Sequence, residues 1–372
     1  MKLFYTWYRF GLFVAALLFF SSCSHTAHPG WFTRPLKENW QVFKAEPGQN
    51  KGKAVSAPGF RPAKAYKATV PSTVMHVLVQ NGVYKDVFKD MNLKKVPTEP
   101  FRSPWWYRTE FRLDELPQTL LLRFNGINYK ADVWLNGKKI GDHAQLKHPF
   151  RQFPLKISKV AKEGTNVLAV LVYPPRPGDF TIGFVDWNPA PPDNNMGLFR
   201  GVSLEACTET GLSAPYVVST LSKDFHRADL TASVVVTNYT AVEQFGKVFL
   251  KVNGDSVSKP VTLLPHETKK VLFDAREFPK LTIRNPKLWW PHTLGTPHLY
   301  RASFSFHNAG KVTDRKSVVF GIRKVSDFYT KQGFRGFKIN GKKVLVRGGG
   351  WVDHLFLDDT PESNRNQLEY VK

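Results

Sequence analysis

Leu230, Ala232, Val234 and Val236 alternate with Thr231, Ser233 and Thr237. The pattern returns where Tyr300, Ala302, Phe304 and Phe306 alternate with Arg301, Ser303 and Ser305. Side chains that change face at every residue belong to a half-buried strand, because a helix brings a residue back to one face only every three or four positions. Strands of this kind need a second apolar layer. The block therefore predicts a β-sandwich of immunoglobulin-like type over residues 211–328. Upstream, the apolar runs 118–124 and 129–135 are separated by Asn125-Gly126, and Asn136-Gly137 leads into Lys138-Lys139-Ile140. Asn-Gly supplies the positive φ of a two-residue turn, so both steps predict hairpins. Residues 164–173 and 201–207 add strands, and amphipathic helices are scarce. Proline and polar residues at 208–215 mark a boundary, which makes 23–210 a first β domain. The chain reads as mostly β.

The N-terminus bounds the compartment. Lys2 and Arg9 flank the start of an apolar stretch, residues 10–20, that is short for a bilayer span, and Ser21-Ser22-Cys23-Ser24 follows. Residues 1–22 read as a signal peptide. Phe20-Ser21-Ser22-Cys23 resembles the lipobox of bacterial lipoproteins, which implies lipidation at Cys23. The expectation is an exported chain, periplasmic or outer-membrane-attached, that meets the membrane through that anchor. Cys207 is then alone, and no intrachain disulfide is available. Lys and Arg outnumber Asp and Glu 53 to 30, a net charge of +23, which becomes +21 when Lys2 and Arg9 leave with the leader. The basic residues are scattered through strand-like segments and not gathered on one helix, so nucleic acid is not the expected partner. A basic surface of this kind attracts acidic glycans at low salt.

The last segment, residues 329–372, opens with Phe337-Lys-Ile-Asn340-Gly341-Lys-Lys-Val344-Leu345-Val346, a small hairpin leading into a strand. Arg347-Gly348-Gly349-Gly350-Trp351-Val352-Asp353 follows. Thr360 suits a helix N-cap and Pro361 its first turn. Strand, glycine-rich loop and helix make one βα unit, whereas a complete (β/α)₈ barrel needs about 250 residues. A lone unit of this kind exposes Val344, Leu345 and Val346.

Several segments together resemble glycoside hydrolase family 2, in the branch of exo-β-D-glucosaminidases and β-mannosidase-type enzymes. They are Val70-Pro71-Ser72-Thr73-Val74 with Gly82-Val83-Tyr84, Pro104-Trp105-Trp106-Tyr107-Arg108, and the run from Gly126 through Asp132 and Trp134 to Gly137. Asp186-Trp187-Asn188-Pro189 through Arg200, Asn285-Pro286-Lys-Leu-Trp289-Trp290-Pro291, Phe320-Gly321-Ile322-Arg323, and Asn340 through Trp351 complete the set. The resemblance implies a sugar-binding, galactose-binding-like jelly roll over 23–210, the immunoglobulin-like sandwich, and the first βα unit of a truncated TIM barrel. It implies an O-glycosyl hydrolase that acts with retention on β-linked glucosaminides or mannosides and needs no cofactor or metal.

Retention requires two carboxylates. In the family both are glutamates on later barrel strands. Glu362 and Glu369 match neither motif, so no catalytic residue is assigned and the chain alone is expected to be inactive. Substrate contacts fall to Asp186, Trp187 and Asp193, in a loop reaching over the barrel mouth, and to Trp351 and Asp353, at the end of the first barrel strand. Carboxylates accept sugar hydroxyls, and indole rings cover sugar faces. Arg347 reads as a pairing residue inside the barrel. Trp105, Trp106, Trp134, Trp289 and Trp290 read as packing. The motifs favour a glucosaminide, while the basic charge repels polycationic chitosan, so the sugar stays open at this level. A surface glycan-binding lipoprotein of two β domains is the alternative, and a truncated product that folds poorly is a third.

Overall fold

The computed structural model describes residues 31–46, 51–183, 189–358 and 360–371. Cys23, Asp186 and Trp187 lie outside these ranges. The first domain is a sandwich. Its four-stranded sheet runs Phe32–Pro35, Val202–Cys207, Thr119–Phe124, Phe153–Lys156. Its six-stranded sheet runs Tyr66–Ala68, Trp40–Lys44, Trp105–Leu113, Gly164–Tyr173, Lys130–Leu135, Lys138–Gly141. Leu120, Leu122 and Phe124 from one sheet meet Tyr107, Val133, Val170 and Val172 from the other in a single core. The outer face of the larger sheet is also apolar, carrying Phe43, Trp106, Trp134 and Leu171. A short helix, α1 (Gly52–Val55), lays Val55 over it. Gly52 lies so close to the Trp134 ring that a Cβ at this position would overlap it.

Asn136 and Gly137 have φ of 50° and 84° and close the predicted hairpin between Lys130–Leu135 and Lys138–Gly141. Asn125-Gly126 does not. Thr119–Phe124 and Lys130–Leu135 lie in different sheets, so the chain crosses between layers there. Gly126 serves close approach instead, since a Cβ would sit 2.9 Å from both the Phe199 ring and the Pro149 carbonyl oxygen.

The second domain is the sandwich that the alternation predicts. Thr210–Leu221, Arg227–Asn238 and Thr268–Asp274 form one sheet, with Thr282–Arg284 pairing Arg227–Asn238. Asp255–Leu263, Gln244–Val252, Tyr300–Asn308 and Lys311–Phe320 form the other. Leu230, Ala232, Val234, Val236, Ala302, Phe304 and Phe306 are all buried in its core, which is separate from the first. Within the second domain, Asp314 accepts the Leu212 N–H at 2.6 Å; across the seam, Lys156 Nζ donates to the Tyr239 carbonyl. Cys207 is buried there as a free thiol, pushed up to about 12 by burial and by the nearby Asp314 carboxylate.

Beyond it stands a three-stranded sheet of Val325–Tyr329, Arg335–Ile339 and Lys342–Val344. Asn340 fastens the sheet to the second domain: its Nδ2 donates to the Trp289 carbonyl at 3.0 Å and its Oδ1 accepts the Lys324 N–H at 2.9 Å. The strand expected to run through Val346 stops at Val344. Leu345 and Val346 are 76% and 71% exposed, and Arg347 is exposed with no carboxylate partner among the described residues. A central strand needs neighbours for its N–H and C=O groups on both sides, and among the described residues none flanks 345–347. Two further helices, α2 (Val74–Gln80) and α3 (Pro361–Val371), bear on the site. Thr360 caps α3 as predicted, accepting the Ser363 N–H at 3.0 Å.

Candidate functional site

The N-terminus of α2 gathers the pieces. Its first N–H groups have no partner inside the helix. Val74 donates to the Met196 carbonyl at 2.8 Å, Met75 to Asp193 Oδ2 at 2.7 Å, and His76 to Thr73 Oγ1 at 3.2 Å. Asp193 Oδ1 accepts the Asn195 N–H at 2.9 Å. Asp193 is 1% exposed, and burial pushes its carboxyl up to about 7 against the pull of these donors. This corrects its assignment as a sugar contact. Both oxygens are taken by backbone groups in a dry setting, so Asp193 shapes the loop from within.

Asn128 completes that loop, and no pattern in the sequence singles it out. Its Nδ2 donates to the carbonyls of Asn194 and Asn195, at 2.9 Å each, and its Oδ1 accepts from Thr181 Oγ1 at 2.6 Å. Its backbone exchanges two hydrogen bonds with Gly197, at 2.7 and 2.9 Å. One buried amide thus holds Thr181 and residues 194–197, on either side of the stretch that contains Asp186 and Trp187. A Cβ on Gly197, whose φ is 151°, would meet the Tyr107 hydroxyl and the Ser72 carbonyl, so only glycine fits.

The C-terminal segment docks on the same helix end. Phe356 is 4% exposed, sits in the jelly-roll core and lies 5.2 Å from the Phe88 ring. Its carbonyl accepts from Thr73 Oγ1 at 3.2 Å, and Asp358 comes within 3.7 Å of His76 Nε2. Burial holds His76 below the usual imidazole range, with Asp358 opposing. His354 Nε2 lies 2.9 Å from Ser363 Oγ and 2.6 Å from Gln367 Nε2, which ties the segment to α3. Trp351 and Asp353 precede this anchor, and both are exposed. Thr73 therefore brings residues 189–197 and 351–358 to one edge of the jelly roll. The edge offers an exposed indole and an exposed carboxylate, chemical groups suited to a polyhydroxylated ring.

One pair of close carboxylates occurs nearby in sequence but does not form a reacting pair. Asp132, Asp142 and His143 place ligand atoms within 4.8 Å of one another. Lys139 Nζ stands between the acids, 3.1 Å from Asp132 and 2.7 Å from Asp142. Asp132 is 1% exposed and also accepts from the His143 N–H at 2.7 Å and the Tyr173 hydroxyl at 2.9 Å. Asp142 is held below the usual carboxylate range, chiefly by Lys139. A glycosidase acid must hold its proton near neutrality, which Asp142 does not, and a nucleophile must face substrate, which the buried Asp132 does not. The ammonium occupies the position a metal ion would take.

Two family descriptions fit this chain. The glycosyl hydrolase 2 galactose-binding domain-like family matches residues 40–178, and glycosyl hydrolases family 2 matches residues 210–323. The chain belongs to glycoside hydrolase family 2. It is similar to the exo-β-D-glucosaminidase of Amycolatopsis orientalis, at 35% identity over 319 residues that cover 86% of this chain and 30% of that protein. The exo-β-D-glucosaminidase of Hypocrea jecorina is 31% identical over 91% of this chain and 38% of its own length. The crystal structure of Amycolatopsis orientalis exo-chitosanase superposes with a TM-score of 0.83 at 32% identity, covering 91% of this chain and 39% of that one. The chain thus spans well under half the length of these family 2 relatives. The fold that the resemblance implied, a galactose-binding-like domain followed by an immunoglobulin-like domain of this family, is the fold observed.

Proposed function

We propose that this chain is the substrate-positioning portion of a retaining glycosidase of exo-β-D-glucosaminidase type. The observation that carries the proposal is 35% identity to such an enzyme sustained over 86% of this chain. Convergence of residues 189–197 and 351–358 on one helix end supports it. In this role Trp351 stacks on the terminal sugar and Asp353 accepts its hydroxyls, and Asp186 and Trp187 keep the sugar-contact roles that the resemblance implies. The nucleophile and the acid/base, about 5–5.5 Å apart in a retaining site, belong to sequence outside residues 1–372. The chain alone then has no group to attack the anomeric carbon and none to protonate the leaving oxygen.

Two measurements test this. The purified chain should hydrolyse 4-nitrophenyl β-D-glucosaminide and β-D-mannoside no faster than buffer, and turnover above that background would overturn the assignment. The gene downstream of the Lys372 codon should encode further barrel strands bearing two glutamates, in frame or after a shift; a downstream region with no barrel sequence in any frame would overturn it too. The same proposal has the 1–22 leader removed and Cys23 acylated. Labelling with a radioactive fatty acid, abolished in Cys23→Ser, is the expected result, and none of the described helices is long and apolar enough to cross a membrane.

A further inference from the structure

We propose that the jelly roll carries a separate site for an acidic sugar, at the far end of α2 from the edge described above. A cavity of about 670 Å³ opens where the cover over the outer sheet face ends, between residues 60–66 and the turn that follows α2. Pockets of this size hold small ligands. Its walls are aromatic: Phe60, Tyr66 and Tyr84 are half-buried beside Trp105. Phe60 stacks on Phe43 with ring centroids 6.0 Å apart, and Tyr66 leans toward Trp105 at 6.4 Å, so the rings are fixed by packing before any ligand arrives. Flat apolar walls of this kind cover the C–H face of a pyranose.

The rim supplies the charge. Lys51 and Lys44 are already paired, with Glu46 at 2.9 Å and Glu99 at 3.4 Å. Arg61 and Lys64 are exposed and have no carboxylate partner among the described residues. The Arg61 guanidinium makes one long bond, to the Phe60 carbonyl at 3.4 Å, and the Lys64 ammonium lies 5.5 Å from the Tyr66 ring centroid. Two uncompensated cations beside aromatic walls match a ring that bears a carboxylate, a hexuronic acid. A neutral sugar would leave both cations idle, and a polycationic glucosamine chain would be repelled. The net charge of +23 draws an acidic polysaccharide toward the surface before the cavity selects a residue of it. The site stands apart from the proposed glucosaminide cleft and does not depend on it. Its use would be to hold the chain on an acidic glycan matrix.

The test is calorimetric titration of the 372-residue chain with α-1,4-tetragalacturonate, with mannotetraose as the neutral comparison. Tetragalacturonate should bind below about 1 mM and mannotetraose should not. Arg61→Glu with Lys64→Glu should weaken binding by about tenfold or more, the loss expected when charged hydrogen bonds are removed. Tyr84→Ala, with an unchanged circular dichroism spectrum, should weaken it as well. Lys269→Glu with Lys270→Glu makes the same charge change on the exposed face of the second domain and should leave affinity within about twofold. The proposal falls if tetragalacturonate does not bind, if mannotetraose binds equally, or if the two double variants lose affinity alike, which would mark general charge attraction.

Discussion

Replacing Phe356 by alanine should release the segment that carries Trp351 and Asp353 without unfolding the domain it rests on. The ring is almost wholly buried in the jelly-roll core. Burying a phenylalanine side chain stabilises by about 1.5–3 kcal/mol relative to leaving it in water. The other ties are weaker or unaffected. The hydrogen bond from Thr73 goes to the Phe356 carbonyl and survives the substitution, and Asp358 is half-exposed, so its pairing with His76 adds little. Losing the ring therefore shifts the docking equilibrium by roughly 10- to 150-fold. Hydrogen exchange read by mass spectrometry measures this directly, because the Leu357 amide is protected by a bond to the His354 carbonyl at 2.8 Å. Peptides over 354–358 should lose protection by that factor, while those over α2 keep theirs. On the jelly-roll side the ring pairs with Phe88, which is itself exposed, so the domain's unfolding free energy in urea should fall by less than about 1 kcal/mol. Unchanged protection at 354–358 would refute the docking argument. So would a fall of about 3–5 kcal/mol in jelly-roll stability, the cost of a true core deletion.

Asp193→Asn should lower the urea-unfolding free energy of the jelly roll by about 1–3 kcal/mol at pH 8 and leave the immunoglobulin-like transition in place. One of the two backbone N–H groups on the carboxylate would then face an amide NH₂. The same pair of proteins reports a pH effect. The folded carboxyl sits at about 7, above its unfolded value near 4, so its contribution is full below about pH 4 and is lost as pH rises to about 7. The wild-type minus Asp193→Asn stability difference should fall across that window and be flat above it; a difference that rises with pH is the refuting result. Asp314, pushed up to about 6, should give the second domain the same sign over a narrower window, read as wild type minus Asp314→Asn. Gly52→Ala should cost the jelly roll about 1–3 kcal/mol by overpacking against Trp134, visible as a changed near-ultraviolet tryptophan signal, and an unchanged midpoint would show that α1 shifts freely.

What the sequence reveals depends on how far apart the partners are. Leu230 to Val236 and Ala302 to Phe306 declare a sandwich because alternation is local and their burial follows from it. Asn136-Gly137 declares a hairpin because the turn needs only its own two residues. Asn125-Gly126 misleads because a dipeptide does not say whether the next strand joins the same sheet. Asp193 looks like a loop acid ready for a hydroxyl, yet the helix it serves is 118 residues away. Phe356 stands out in no pattern, and its anchor is 283 positions distant. Asn128 lies within a motif that names the family, but its work as a clamp appears only when Thr181, Asn194 and Asn195 surround it.

Residues 345–353 are held at both ends by different bodies. Val344 belongs to a sheet fastened through Asn340 to the second sandwich, and Phe356 is seated in the first. Between these abutments Gly348, Gly349 and Gly350 have open space where a Cβ would stand. Mechanically the span is a slack tie across a joint. Any change in the angle between the two sandwiches moves its end points and carries Trp351 and Asp353 with them. A substitution at the distant seam, at Lys156, is therefore felt as a change in where two side chains it never touches come to rest.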